Sequence, residues 1–432
     1  MAISLLLPSL VALGIILLVH TVCRANPETR LFTELPPGAD LPEGVEAKLA
    51  ALKNDRRFKN AKLLRMRELQ ATLTMLRTAA IGSTNAPVTL ALPAGREMEA
   101  RGTLSERPNG QFTWIGQARL TNRDSRSGSF VLTVGPTGIL GTISVPGGTY
   151  ELSSEGSGFV SLVELNESGV RPDHPPQFRQ RQNSLEQRPR KQEFSVQQTS
   201  TSDPLRILVV YTPAAKRMIE NERSGVRIDD WITQRMAEAN AANVRSNTGV
   251  SFELAQSHLV DYKESGDWDT DRDRFFNKAD GFMDDVVRLR DDAFGDVVVL
   301  LFTSSGYCGE VDVIFSPEAR AYAVVDVDRG CTLKYTFTHE VGHLYGAEHD
   351  VANASRPPKY AHGHGFIYKD AWRTMMAYAH KCNPCTRQLA WSSPSIYLDK
   401  NPMGSKDKHD NARVLRSNAS ILSAYRAAPK SP

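Results

Sequence analysis

Residues 338–350, THEVGHLYGAEHD, decide the fold of the C-terminal half of this chain. On a helix, His339 and His343 lie one turn apart on the same face, so both imidazoles can bind one tetrahedral cation. Glu340 is rotated by one residue from this pair, which lets its carboxylate reach a water molecule on the metal. The stretch therefore predicts a helix that carries two metal ligands and a general base.

A sharp turn after this helix supplies a third ligand. Gly346 can adopt the positive φ that such a turn requires, and the turn brings His349 back towards the other two histidines. Three neutral imidazoles leave the fourth position of a catalytic zinc ion open. The complete pattern, HExxHxxGxxH, resembles the signature of the metzincin metallopeptidases.

A second metzincin motif follows downstream. Members of this clan carry a methionine turn below the metal, and residues 374–378 (TMMAY) are similar to it. The resemblance implies that Met376 is the turn residue, with Met375 as the alternative register, and that Tyr378 lies near the metal. It implies an α/β catalytic domain with a twisted mixed sheet, an active-site helix and a Met-turn.

Softer motifs narrow the resemblance. Asp350 directly follows the third histidine, as in the adamalysin-like (reprolysin) subgroup, where this acid braces the loop. Over roughly residues 204–427 the chain resembles the bacterial peptidyl-Asp metalloendopeptidase family. The segments that carry this resemblance are 307–309 (YCG), 362–365 (HGHG), 391–394 (WSSP) and 410–415 (DNARVL). His362 and His364 are assigned to a structural loop, because the zinc ligands are already complete.

These motifs predict a zinc-dependent endopeptidase that acts on proteins or peptides. Glu340 is expected to take a proton from the zinc-activated water and to pass it to the leaving amine. The family resemblance implies that Tyr378 helps to hold the developing oxyanion. Two other functions stay open at this point: a catalytically silent or surface-anchored zinc-binding module, and a zinc amidase that acts on a non-peptide amide.

The N-terminus predicts export. Residues 2–22 are almost entirely apolar, as in a signal peptide, with cleavage expected after Ala25. The segment is also long enough to span a bilayer, so an uncleaved anchor is the alternative, and a buried core helix is a third. The protein is therefore expected to be secreted or periplasmic, and attached to a membrane only if this segment stays uncleaved.

Changes in composition divide the rest of the chain. Residues 44–80 have leucines at helical spacing, and residues 87–165 have short alternating apolar runs between turns, which indicate a sheet. The polar, arginine-rich run that follows is too poor in large apolar residues to fold alone. The expected domains are 1–25 signal peptide or anchor, 26–170 sheet-rich α+β propeptide, 171–203 linker with the activation cleavage, 204–427 metallopeptidase and 428–432 tail.

The C-terminal half alternates strands with helices, which is typical of an α/β sandwich. Strands are predicted at 205–212, 250–262, 296–303 and 321–327, and helices at 228–246 and 280–292.

Four cysteines remain once Cys23 is set aside with the export segment. An even number in an exported protein predicts two disulfides. Short-range closure favours the pairs Cys308–Cys331 and Cys382–Cys385. A redox or zinc CxxC is the alternative for the second pair.

The net charge of +3, without a basic block interleaved with aromatics, argues against a nucleic-acid partner. Zinc is the expected cofactor, and calcium is possible at Asp410 and Asn411, whose oxygen atoms suit that ion.

The segment after the methionine turn is expected to wall the pocket for the residue that follows the cut. It contains His380, Lys381 and Arg387. A basic wall would favour an acidic substrate residue, which agrees with what the family resemblance implies. The alternative is a solvated cluster of surface charges.

The propeptide is expected to inhibit the enzyme. The chain has no cysteine between Ala25 and Tyr307, which excludes a cysteine switch in the precursor. Asp173 or His174, in a proline-stiffened segment at the domain boundary, could reach the zinc. A rigid linker is the alternative interpretation.

Overall fold

The computed structural model describes residues 30–36, 38–66, 87–107, 110–121, 127–176, 178, 181–182, 203–379, 382 and 385–427. The predicted signal or anchor segment, residues 183–202 of the predicted linker, the tail, and the specificity candidates His380 and Lys381 lie outside these ranges. In the described part of the chain, no helix has the length and apolar character needed to cross a membrane.

The N-terminal half forms an antiparallel sheet with the strand order β1-β2-β9-β8-β7-β6-β5-β4-β3. The two-residue turn between β7 and β8 is possible because Gly147 adopts a positive φ of 86°. The sheet predicted for residues 87–165 is thus confirmed. The elements of this half are β1 (Phe32–Glu34), α1 (Glu43–Asn54), β2 (Phe58–Met66), β3 (Val88–Ala91), β4 (Glu97–Glu106), β5 (Phe112–Leu120), β6 (Ser127–Val134), β7 (Ile139–Val145), β8 (Gly148–Gly156) and β9 (Phe159–Leu165).

The prediction of a helix over residues 44–80 is wrong for residues 55–66, because α1 ends at Asn54 and strand β2 follows, and residues 67–80 lie outside the described ranges. The reason is that both faces of β2 are covered. Leu63 packs in a cluster with Val45 of α1, whereas the next residue, Leu64, points into the core on the other face of the sheet. A strand that is buried on both sides has adjacent leucines, which imitate the spacing of an amphipathic helix.

The C-terminal half contains a five-stranded mixed sheet with the order β11-β10-β12-β14-β13, in which only the edge strand β13 is antiparallel to its neighbour. The predicted mixed α/β sheet is confirmed, although the helix expected at 280–292 forms only from Val286. The strands are β10 (Leu205–Tyr211), β11 (Phe252–Leu259), β12 (Val297–Phe302), β13 (Gly309–Val311) and β14 (Tyr322–Asp326). The helices are α2 (Pro213–Glu222), α3 (Ile228–Arg245), α4 (Trp268–Phe276), α5 (Val286–Asp292), α6 (Arg329–Leu333), α7 (Thr336–Tyr345) and α8 (Asn411–Leu422).

Two smaller sheets follow helix α7. One contains β15 (Ile367–Tyr368), β16 (Trp372–Arg373) and β17 (Thr386–Arg387), and the other contains β18 (Ser393–Leu398) and β19 (Asn401–Met403).

Helix α3 joins the two halves of the molecule. Its Trp231 and Met236 belong to one hydrophobic core together with Val131 of β6 and Val299 of β12. The side chain of Gln234, also on α3, donates a hydrogen bond of 2.9 Å to the carbonyl of Val131. The N-terminal sheet therefore shares a core with the mixed sheet and is docked, rather than tethered, to it.

A buried ionic cluster strengthens this contact. The carboxylate of Glu151 on β8 accepts hydrogen bonds from Arg223, at 3.0 and 3.2 Å, and from Arg329, at 2.5 Å. Burial alone would raise the pKa of Glu151, but the charges of the two guanidinium groups lower it to about 2. All three side chains are almost inaccessible to solvent, so each charge depends on the others.

We expect Glu151→Gln to destabilise the full chain by about 3 kcal/mol or more, because two buried guanidinium groups lose their counter-charge. Urea unfolding measures the loss, and Glu99→Gln on the exposed face of β4 is the control. Equal stability of the two variants would show that the ionic cluster does not hold the halves together.

Candidate metal centre

Helix α7 presents the first two histidines, and the turn at its end presents the third. Gly346 ends the helix with φ of 97°, and the amides of Gly346 and Ala347 donate to the last helical carbonyls, those of His343 and Gly342. This left-handed ending returns the chain towards the helix. It places His349 beside the other two imidazoles, as the sequence predicted.

The three imidazoles converge on one point. The Nε2 atoms of His339, His343 and His349 lie 2.9–3.1 Å from one another. The Nδ1 atom of His339 faces the carbonyl of Met375 at 3.2 Å, and that of His343 faces the carbonyl of Ala347 at 2.7 Å. A carbonyl can only accept, so in these two rings Nδ1 carries the proton and Nε2 presents a lone pair.

This donor set fits a zinc ion. Nitrogen lone pairs so close together repel unless a cation lies among them, and the nitrogens of a tetrahedral zinc site are about 3.4 Å apart. Burial, followed by the neighbouring imidazoles, lowers the pKa of all three histidines well below the usual range. The rings are therefore neutral, as metal ligands must be.

A fourth histidine joins the cluster from the predicted linker. His174 and the three histidines of the signature can each offer a ligand atom, all within 4.8 Å of one another, and no other such group occurs in the described ranges. The Nε2 atom of His174 lies 3.1 Å from the Glu340 carboxylate, and its Nδ1 atom lies 2.6 Å from the Tyr378 hydroxyl. Its ring stacks on Phe178 with 4.2 Å between the centroids. Of the two latency candidates, His174 is thus the one that reaches the cluster.

The other candidate, Asp173, faces a pair of cations instead. Its carboxylate oxygens lie 2.6 Å from Nζ of Lys334 and 2.7 Å from Nη2 of Arg387. Its carbonyl accepts hydrogen bonds from the amides of Cys308 and Gly309, at the start of edge strand β13. Burial opposes ionisation, but the two cations hold the pKa of Asp173 well below its usual range.

The polar run after residue 176 is predicted to be too poor in large apolar residues to fold alone, but two of its described residues, Phe178 and Gln182, are buried against other parts of the chain. Phe178 is held by the stacked His174 ring, and the Gln182 side chain accepts a hydrogen bond from the amide of Ile314 at 2.9 Å. A few residues thus dock into a preformed cleft, which composition alone does not reveal.

The segment that follows the histidines, residues 375–378, packs against helix α7 and the third ligand. Met376 packs against α7 at Gly342. The approach is close, since a Cβ atom added at Gly342 would lie 3.3 Å from the sulfur of Met376. The Tyr378 ring lies 4.3 Å, between centroids, from that of His349. Asp350 accepts hydrogen bonds from the Tyr378 amide at 3.2 Å and from the Asn353 side chain, so it connects the histidine loop to this segment.

The catalytic candidate Glu340 is fully buried beside the cluster. Burial, and then the negative charge of Asp173, raise the pKa of its carboxyl group well above the usual range. A Cβ atom at Gly309 would lie 2.5 Å from its Oε1 atom, so the edge strand approaches Glu340 as closely as a glycine allows.

Both predicted disulfides are present. Cys308–Cys331 connects the start of β13 to α6, and Cys382–Cys385 closes a short loop after Tyr378, so the second pair forms a disulfide and not a pair of zinc ligands. The first bond fixes the edge strand beside the cleft.

One residue of the site, Lys334, has no signal in the sequence. Lys334 follows α6 without any motif, and in the sequence only its position near Cys331 connects it to the cleft.

His364 contacts the carbonyl of His349 through Nδ1 at 3.2 Å, as its assignment to a structural loop suggested. Asp410, a calcium candidate, caps α8 by accepting from the amide of Arg413 at 3.0 Å, and calcium binding stays a prediction.

We expect Gly346→Ala to lower the zinc content, because a side chain at φ of 97° is strained and its Cβ atom would lie 3.1 Å from Phe315. The matched control is Gly281→Ala, with a similar φ of 87° and open space around it. Metal analysis of both purified proteins measures the difference. Full zinc occupancy in Gly346→Ala would contradict the role of this turn.

The chain was compared with known proteins. Residues 202–392 match the family described as Reprolysin_5, metallo-peptidase family M12. A peptidyl-Asp metalloendopeptidase of Stenotrophomonas maltophilia (strain K279a) is 33% identical over 374 residues, covering 82% of this chain and 87% of that protein. A peptidyl-Asp metalloendopeptidase of Xanthomonas campestris pv. campestris is 34% identical over 312 residues, covering 71% and 72% respectively. The similarity thus extends from the metal centre into the N-terminal sheet.

Proposed function

Because the chain belongs to metallo-peptidase family M12 and is a zinc metalloendopeptidase, we propose that it is made as a latent precursor in which His174 blocks the catalytic centre. The observation that carries this proposal is the position of one imidazole. His174 contacts both the Glu340 carboxylate and the Tyr378 hydroxyl, and it belongs to the same cluster as the three histidines of α7 and its turn.

In the active enzyme, His339, His343 and His349 would hold the zinc ion. When bound, zinc polarises the scissile carbonyl and makes a water molecule acidic enough to react near neutral pH. Glu340 takes the proton from this water and delivers it to the leaving amine. Tyr378 donates a hydrogen bond to the carbonyl oxygen as negative charge develops on it.

Three neighbouring residues support the zinc ligands and Tyr378. Met376 and its neighbours form the methionine turn, which closes the bottom of the site against Gly342. Asp350 braces the loop of the third ligand through its bonds to Tyr378 and Asn353. Gly346 provides the sharp turn between the second and third ligands.

In the precursor, the imidazole of His174 lies beside the three histidines that would hold the zinc ion and separates Glu340 from Tyr378. A substrate carbonyl and an attacking water must reach the same space, so catalysis requires that this ring leave. The propeptide domain, 26–170, supports the inhibitory segment, and cleavage in the linker up to residue 203 begins its release. The metallopeptidase domain comprises residues 204–427.

The enzyme is exported, either secreted or periplasmic. Two disulfides favour an oxidising compartment, and the apolar segment at 2–22 is suited to an export signal, or to an anchor if it stays uncleaved. The relatives are named as peptidyl-Asp enzymes, which supports a preference for cuts before an acidic residue.

We expect Glu340→Gln to bind zinc normally and to lose at least about 10²-fold in kcat, because a neutral amide cannot accept the proton of the water. Trypsin, which cuts after Arg190 and Lys191, can process the variant and the wild type alike. After removal of the precursor, metal content and peptide hydrolysis are measured. Glu253→Gln, at an exposed position of β11, is the control. Wild-type turnover in Glu340→Gln would refute the mechanism.

We expect the uncleaved His174→Ala precursor to hydrolyse peptides at least tenfold faster than the uncleaved wild type, a change of about 1.4 kcal/mol. The reason is that the zinc and Glu340 become accessible while the rest of the precursor stays docked. Gel electrophoresis verifies that the chain is intact, and His258→Ala on β11 controls for the loss of any imidazole. An intact His174→Ala precursor as silent as the wild type would exclude His174 as the blocking residue.

A further inference from the structure

We propose that Lys334 and Arg387 form the pocket that selects an aspartate side chain in the substrate, and that Asp173 fills this pocket in the precursor. The inference rests on the endopeptidase function proposed above and assigns the residues that determine its substrate class.

The first support is the geometry of the two cations. Each oxygen of the Asp173 carboxylate has its own partner, Lys334 at 2.6 Å and Arg387 at 2.7 Å. Nη1 of Arg387 also donates a hydrogen bond of 2.9 Å to the carbonyl of Lys334, which links the two residues directly. Their side chains are only 4% and 3% exposed. In the full chain the two cations thus hold one carboxylate between them in a buried position.

The second support is the origin of the acidic partners. Among the described residues, the ion pairs of Lys334 and Arg387 lead to Asp173 and Glu167, both of which precede the cleavage segment. The C-terminal half supplies the two cations but no carboxylate paired with them in these contacts. Buried charges need a counter-charge. Departure of the precursor therefore leaves the two cations without one, and a substrate carboxylate can supply it.

The third support is the distance along the chain to the metal centre. Asp173 immediately precedes His174, so the carboxylate pocket lies one residue from the cluster. The carbonyl of Asp173 accepts hydrogen bonds from the amides of Cys308 and Gly309, at 3.1 and 3.0 Å. An extended substrate can add to the edge of strand β13 in the same way. A residue beside the scissile bond would thus place its side chain between the two cations.

The pocket also discriminates by length. The short side chain of Asp173 already brings both oxygens within 2.7 Å of the cations while its carbonyl stays bonded to β13. Glutamate has one more methylene group, so the same carboxylate contacts would push the backbone away from the edge strand. The expected order of substrates is therefore aspartate, then glutamate, with asparagine poor because it carries no charge.

The kinetic test uses processed wild type and the variants Lys334→Gln and Arg387→Gln, with peptides that differ only in Asp or Asn after the cut. We expect the ratio of kcat/KM for Asp over Asn to fall at least tenfold in each variant, because the pocket loses one of the two cations that bind the carboxylate. Lys334→Arg should keep most of the preference, and Lys406→Glu, at an exposed position, should keep all of it. An unchanged ratio, or an equal loss with both peptides, would overturn the proposal.

A second test needs no variant of the enzyme. A synthetic peptide with the sequence of residues 171–178, RPDHPPQF, should inhibit processed wild type, and the peptide with Asp173→Asn should inhibit at least tenfold more weakly. Both peptides retain His174, so the difference reports on the carboxylate pocket alone. Equal inhibition would overturn the pocket, whereas a processed protein that cuts no peptide at all would instead overturn the proposed function.

Discussion

The mutual approach of three imidazole nitrogens is the constraint on which the rest of the structure depends. Nε2 atoms 2.9–3.1 Å apart repel one another until a cation lies among them, so the protein must hold these rings in place by other contacts. Helix α7, the left-handed ending at Gly346 and the carbonyls of Met375 and Ala347 provide this restraint. The carbonyl contacts orient His339 and His343, so ring orientation is set by the backbone as well as by the metal.

The N-terminal half packs against the same part of the molecule that holds these histidines. Its sheet shares a hydrophobic core with α3, its Glu151 lies between two arginines of the C-terminal half, and its residues 171–174 line the edge strand. The bonds that trypsin-like enzymes would cut lie after these contacts, in residues 183–202. A cut there leaves His174 on the precursor side of the break. If His174 blocks the catalytic centre as proposed, activation requires that residues 171–174 leave the cleft, and a cut in residues 183–202 does not by itself remove them.

Sequence patterns predicted the parts of this protein that local chemistry determines. The spacing of His339, His343 and His349 and the glycine between them define the ligand geometry without reference to distant residues. The mixed sheet followed from continuous apolar strands such as Val297–Phe302. Strand β2 was mistaken for helix because burial on both faces removes the alternation that marks a strand. Lys334 was missed because it contacts Asp173, a residue far away in the chain, and no local pattern encodes such a contact.

If Asp173 fills the substrate pocket and His174 blocks the catalytic centre as proposed, their neighbouring positions explain how one segment can bind like a substrate without being cut like one. Asp173 satisfies the cation pair, and its carbonyl joins the edge strand, as a bound peptide would. The carbonyl before it, that of Pro172, accepts a hydrogen bond from the amide of Cys308 at 3.1 Å, and Glu340 instead faces the His174 imidazole. The place of a scissile carbonyl and its water is thus taken by a ring that cannot be hydrolysed. Substrate-like affinity and resistance to cleavage come from two adjacent side chains, each of which fills a different part of the same site.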